Sequence, residues 1–172
     1  SNMDNSTYGT VIYDVRTEAA EQRVDVEEVE DKYGDFAPGT RKMIRIDGGR
    51  IEIAGNKTFD RSGIIELFVP EESRRQGIGT RLVERAIEEA DGKLVGMASK
   101  DAAIDINYRL GMRYYKPDGT EATLEETKKQ RAENSYESIF MQTPEARQAG
   151  RRGEAAEQRV VEPGVADVLQ RY

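Results

Sequence analysis

The chain has no cysteine, no histidine and no tryptophan. These absences exclude disulfides, thiolate and imidazole metal ligands, cysteine nucleophiles and every triad that passes a proton through an imidazole. Carboxylates remain as metal ligands, but no Asp-x-Asp-x-Asp loop with its glycine is present, so a metal-free reaction is expected. No apolar run approaches the ~20 residues that span a bilayer. The segment Ser1-Asn2-Met3-Asp4-Asn5 lacks the basic and apolar parts of a secretory signal, and Ser1-Asn2 before Met3 reads as the remnant of a cleaved tag. A cytoplasmic protein with no membrane partner is expected.

With 172 residues, 37% hydrophobic and 34% charged, the chain is long enough for one domain with a core and polar extensions. The net charge of -7 argues against nucleic-acid binding, which needs a dense Lys/Arg face. It suits a cationic partner and equally serves solubility alone. The acidic excess is strongest over residues 17–37, where eight Asp/Glu stand against two Lys/Arg.

Tyr8 to Val15 predicts a first strand from its β-branched and aromatic residues. Thr17 to Tyr33 predicts a helix with Thr17 as N-cap. Arg41 to Ile46 and Arg50 to Ala54 alternate polar and apolar residues around Asp47-Gly48-Gly49, which predicts a hairpin. Further on, a fourth strand around residues 64–69, a helix over 77–91 ended by Asp91-Gly92, a strand from Lys93 to Ser99 and a helix from Asp101 to Leu110 closed by Gly111 are expected. Met112 to Lys116 and Tyr136 to Met141 predict the last two strands, separated by a helix from Thr123 to Ala132. The division expected is an acidic extension over 1–40, a core over 41–144 and a polar tail over 145–172.

The most informative segment runs from the fourth strand into the helix: Glu66-Leu67-Phe68-Val69, a short polar loop, then Arg74-Arg75-Gln76-Gly77-Ile78-Gly79-Thr80. Glycines let a ligand's oxygens approach the backbone. The first N–H groups of a helix have no partner within it, and the aligned peptide dipoles make that end electropositive. An anion such as a pyrophosphate fits there. A tight turn between packed elements is the plainer account of two glycines. A dinucleotide-binding turn would need glycine where Leu82 stands, and a P-loop would need Lys-Ser/Thr after Gly79. Neither pattern is met.

The run Arg74-Arg75-Gln76-Gly77-Ile78-Gly79 resembles the acetyl-coenzyme A signature of the GNAT acetyltransferase superfamily, Arg/Gln-x-x-Gly-x-Gly/Ala. Downstream, Lys100 to Met112 fits the frame Asn-x-x-Ala-x-x-x-Tyr-x-x-x-Gly-Phe through Ala103 and Gly111, without a gap. The resemblance implies an α/β fold with a mixed, mostly antiparallel sheet flanked by helices and splayed at the fourth and fifth strands. It implies acetyl-CoA as co-substrate. Backbone groups of Leu67, Phe68 and Val69 would hold the pantetheine arm, Arg74, Arg75, Gln76, Gly77, Ile78, Gly79 and Thr80 the pyrophosphate, and Lys100 and Asn107 would also face the cofactor. Two positions depart from the family's pattern: Lys100 stands where Asn is common, and Asn107 where the tyrosine that protonates the leaving thiolate is common. Tyr108 comes one residue later, a rotation of roughly 100° on a helix.

Candidate catalytic groups are thus Tyr108 as acid and Glu66 as a base for an ammonium acceptor, although Glu66 is also placed as an ordinary solvent-side strand residue. Tyr114 and Tyr115 are weaker candidates for the acid. The expected activity is acyl transfer to a primary amine, of a metabolite or of a lysine-bearing protein. The alternative is a GNAT-like binding or effector module that acts on a protein partner. A homodimer is compatible with the sequence. The heptapeptide Glu18-Ala-Ala-Glu-Gln-Arg-Val24 recurs over residues 154–160. It is too short for a solenoid unit, and reads as two helix-prone segments or as a shared docking element.

Overall fold

The structure is a computed structural model that describes residues 24–155. Six strands form one sheet in sequence order: β1 (Asp25–Glu28), β2 (Lys42–Ile46), β3 (Gly49–Gly55), β4 (Ser62–Phe68), β5 (Leu94–Ala98) and β6 (Ile139–Gln142). All neighbours are antiparallel except β4 and β5, which are parallel. The helices are α1 (Ile78–Glu89), α2 (Asp101–Arg109), α3 (Leu124–Glu133) and α4, over residues 144–155. The expected mixed, mostly antiparallel fold is therefore present.

The β2–β3 hairpin turns on Asp47 (φ 47°) and Gly48 (φ 86°), the left-handed pair that matches strand twist in a two-residue turn. Ile44, Ile46, Ile51 and Ile53 are fully buried, and α1 lays Ile78, Leu82, Val83 and Ala86 onto them. Gly49 makes this approach feasible, since a Cβ there would stand 2.9 Å from Ile78 Cγ2. Asp91 (φ 52°) and Gly92 (φ 81°) end α1 as expected, with the Gly92 N–H donating to the Ile87 carbonyl at 2.8 Å.

Three expectations need correction. Where the helix from Thr17 to Tyr33 was expected, residues 25–28 form a strand on the edge of β2. Val24 and Val26 pack on the core at strand period, and Arg45 Nη1 meets Glu27 Oε1 at 2.6 Å. A helix would instead place Glu27 and Asp31 one turn apart with like charge. The rest of that helix, and the strand from Tyr8 to Val15, lie outside the described residues. Second, Met112 to Lys116 forms no full strand. Arg113 bridges Gln142 and Tyr115 bridges Glu121, because the Lys116 N–H turns back to the Thr120 carbonyl at 2.8 Å. Third, β6 begins only at Ile139. Glu137 has φ 52°, and Asn134 ties the turn by donating to the Ser138 carbonyl at 2.8 Å.

α3 starts and ends one residue later than the expected Thr123 to Ala132 and carries a capping box, in which Thr123 Oγ1 accepts from the Glu126 N–H and Glu126 Oε1 from the Thr123 N–H. It has no apolar stripe, and two ion pairs tie it to α2: Lys128–Asp105 at 2.7 Å and Arg131–Asp101 at 3.1 Å. The packed structure also extends past residue 144. Thr143 Oγ1 accepts from the Ala146 N–H at 3.2 Å, and Ala146, Ala149 and Gly150 of α4 are buried. Of the repeated heptapeptide only Val24, Glu154 and Ala155 are described.

Two outcomes follow. Leu82→Ala should lower unfolding free energy by about 2–5 kcal/mol in denaturant titrations, the usual cost of a cavity at a fully buried site. The second concerns Glu89, whose carboxyl is held below its ordinary range first by the hydrogen bond from Lys42 Nζ and then by Coulomb attraction to Lys42 and Arg85. A carboxyl whose pKa is lowered on folding stabilises fully above its unfolded value, and loses that contribution as pH falls through the folded one. Lys42→Met should therefore destabilise measurably at pH 7, and the gap from wild type should close as pH drops below 4.5, the carboxyl's ordinary value.

Candidate functional site

β4 and β5 pair only at Ser62↔Leu94 and Gly63↔Val95. Beyond that point they part. Ile64 leans across the gap, so that a Cβ on Gly96 would stand 2.9 Å from Ile64 Cδ1. A bulge between Glu52 and Ile53 re-aims β4 at the same level. Above it, Ile65, Leu67 and Phe68 are exposed, and Val69 packs half-buried against the core.

The chain then passes through a 3-10 turn (Glu71–Ser73) into the loop before α1. Arg75 (φ 71°) and Gly77 (φ 76°) are both left-handed. Gly77 is the N-cap of α1, with no side-chain cap and no acidic residue in the first turn. The N–H groups of Ile78, Gly79 and Thr80 are thus left to solvent or a ligand, and a Cβ on Gly77 would meet nothing within 4 Å. Space, dipole and orphan donors agree on an oxyanion.

The candidate side chains divide. Arg74 Nε donates to the Val69 carbonyl at 3.4 Å and Gln76 Nε2 to the Glu72 carbonyl at 3.3 Å, so both brace the loop. Arg75 is exposed. Ile78 is 2% exposed and belongs to the core, so only its backbone faces outward. Gly79 also serves packing: a Cβ there would be 3.2 Å from Ile106 Cδ1 and 3.8 Å from Val69 Cγ2. Ile106 was missed from sequence; its signal was an apolar residue at i+3 from Ala103 on the helix that closes the gap. Lys100 is the exposed, extended N-cap of α2.

Asn107 is 5% exposed and points its amide into the core, Nδ2 lying 3.9 Å from Met141 Sδ. Tyr108 turns elsewhere, its ring 3.6 Å from the Arg113 guanidinium carbon. Arg113 is itself fixed, donating to the Tyr108 carbonyl at 2.6 Å and to Glu121 Oε1 at 2.6 Å. Glu66 Oε1 accepts from Arg50 Nη2 at 2.9 Å, and Arg50 stacks 4.6 Å over the Phe68 ring. Tyr114 packs on the core and Tyr115 under Arg147.

The model of the Acetyltransferase (GNAT) family matches residues 12–119. The chain belongs to the GNAT acetyltransferase family. Several solved structures resemble this GNAT chain in outline. An IAA acetyltransferase from Bacillus cereus is 14% identical, over 70% of this chain and 98% of that one, with a TM-score of 0.45. The ribosomal-protein-S18-alanine N-acetyltransferase from Escherichia coli is 20% identical, over 73% and 83%, with a TM-score of 0.41. N-acetylglutamate synthase from Neisseria gonorrhoeae, complexed with coenzyme A and N-acetyl-glutamate, is 18% identical, over 74% and 30%, with a TM-score of 0.42. A search of curated protein sequences finds no match. Among the described residues, no helix is long and apolar enough to cross a membrane, and no three carboxylates are grouped to hold a metal ion.

Acetyl-CoA should raise the melting temperature of the wild-type protein, and Gly77→Glu should abolish the shift. The substitution puts a carboxylate at the phosphate position and an L-residue at φ 76°. Equal shifts in both proteins would remove the oxyanion site.

Proposed function

We propose that the protein transfers an acetyl group from acetyl-CoA to a primary amine. The observation that carries this is the uncapped, glycine-opened N-terminus of α1 set beside two strands that have just parted. Within that proposal, the free N–H groups of Ile78 to Thr80 receive the pyrophosphate, with Arg75 in support. The free edge of β4 from Leu67 to Val69 offers N–H and C=O groups to the pantetheine arm. Acetyl-CoA supplies the activated thioester.

The chain's task is then to orient and to dry. A β4 N–H donates to the carbonyl oxygen as charge develops on it, an interaction stronger in the transition state than before it. The ammonium acceptor gives up one proton, the nitrogen bonds to the acetyl carbon, the C–S bond breaks, and the sulfur leaves as a thiolate. The second nitrogen proton is lost as the amide forms, and the thiolate takes up one proton. Positioning alone supplies up to ~7–11 kcal/mol in well-oriented reactions, so turnover does not require a dedicated acid.

Glu66 acts as base only if Arg50 releases it, directly or through water. Asn107 has no dissociable proton to give. Tyr108 is held on the side of α2 that faces Arg113. These two observations favour water as the acid, and they also support the second reading, a GNAT-like binding or effector module without turnover. A lysine of a protein and a small amine are both admissible acceptors.

Tyr108→Phe removes only the hydroxyl. A general acid is typically worth ~10²–10⁴ in rate, but here the expected loss is below ~10-fold on the same scale. Turnover measured as release of free CoA thiol checks this. A fall of ~100-fold or more with acetyl-CoA affinity unchanged would make Tyr108 the acid, and no turnover with any amine would favour the binding module.

A further inference from the structure

A cavity of about 360 Å³ lies on the sheet face away from α1 and α2, at the level where β4 and β5 part. Its walls include Phe36, Ile65, Val95 and Phe140. Val95 and Phe140 alternate along their strands with the buried Leu94, Ile139 and Met141, so they point to the opposite face. No acidic side chain lines the cavity, and its one charged residue is Arg61.

Arg61 lies between two aromatic rings and lacks a carboxylate partner among the described residues. Its guanidinium carbon lies 5.0 Å from the Phe59 ring centre and 5.9 Å from that of Phe140. Nη1 donates to Gln142 Oε1 at 3.3 Å. Gly150 of α4 lies so close that a Cβ there would strike Nη1. The neighbouring Asp60 is engaged by Lys93 at 2.7 Å. The loop itself is fixed by Asn56 Oδ1, which accepts from the N–H groups of Thr58 and Phe59. A guanidinium has five donors in a planar fork suited to a carboxylate, and one such group in an apolar hollow is the usual pattern of a small-molecule site.

We propose that this cavity binds the carboxylate end of an apolar acceptor whose amine lies at the other end. The acceptor role rests on the acyl-transfer reading above. The guanidinium stands near the level of Gly63 to Ile65, because Phe140 and Gln142 are register partners of Met97 and Val95, and Val95 of Gly63. Leu67, where the thioester is read to be held, is two to four residues further along β4, about 7–14 Å at the rise of a strand. The acceptor is therefore an amine separated from a carboxylate by that distance along an apolar chain. Acetyl-CoA and acceptor would reach the gap from opposite faces of the sheet.

The test compares 8-aminooctanoate with octylamine as acceptors in wild type, Arg61→Met and Arg61→Lys, and follows octanoate binding without acetyl-CoA by thermal shift. The expected result is that kcat/KM for 8-aminooctanoate relative to octylamine falls about 10–100-fold in Arg61→Met, the usual worth of a charge-assisted hydrogen bond. Arg61→Lys should recover part of it, and octanoate should stabilise wild type but not Arg61→Met. An unchanged ratio, with no octanoate effect on wild type, would overturn the proposal while leaving acyl transfer intact if both amines react. Arg61-dependent octanoate binding with no turnover of either amine would support the carboxylate site and count against acyl transfer instead.

Discussion

The proposed site depends first on β4 and β5 ceasing to pair after Gly63 and Val95. Backbone polar groups in a sheet are normally satisfied by the neighbouring strand. Here the β5-facing edge of β4, from Ile64 to Phe68, has no strand partner among the described residues. Two local features sit at the point where the strands part. Ile64 fills the space over Gly96, where any side chain would collide with it, and the bulge at Glu52/Ile53 twists β4 away at the same height. The gap thereby gains a free backbone edge, and α1 begins beside it with its own unpaired donors.

The remainder of the fold holds that gap in shape. The β2–β3 hairpin carries four isoleucines under α1, and Arg81 of α1 reaches Asp47 in the hairpin turn at 3.1 Å. Such a surface pair contributes little stability, but it sits at the first turns of α1 and helps fix the angle of its N-terminus. On the other side α2 closes against Gly79 through Ile106. α3 is joined to α2 mainly by ion pairs, Lys128–Asp105 and Arg131–Asp101.

Much of this was legible in the sequence where one rule acts by itself. Asp47-Gly48 requires left-handed φ values and gave its hairpin. The stripe of Ile78, Leu82, Val83 and Ala86 predicted α1 and its buried face. Gly77 was placed correctly at the mouth of α1, though the need for Gly79 comes partly from Ile106, a contact no local pattern reveals. Failures came where tertiary pairing overrode local preference. The acidic run around Asp25–Glu28 has helical composition, yet Val24 and Val26 gain more by closing the hairpin edge. Residues 112–116 have strand composition, but Pro117-Asp118-Gly119 folds them back on themselves. Arg61 was invisible for a different reason: a lone arginine in a turn acquires meaning only once Phe140, Gln142 and Gly150, all distant in sequence, surround it.

Catalysis on this account is performed by backbone geometry more than by side-chain acids and bases, which is why Asn107 can lie buried against Met141 without loss of the site. The most direct measurement is therefore of the backbone itself: amide chemical shifts of the 15N-labelled protein titrated with coenzyme A. The largest perturbations are expected on the N–H groups of Leu67 to Val69 and of Ile78 to Thr80, with those of β1 and β2 unmoved. Perturbations confined to other regions, or none at saturating coenzyme A, would contradict it.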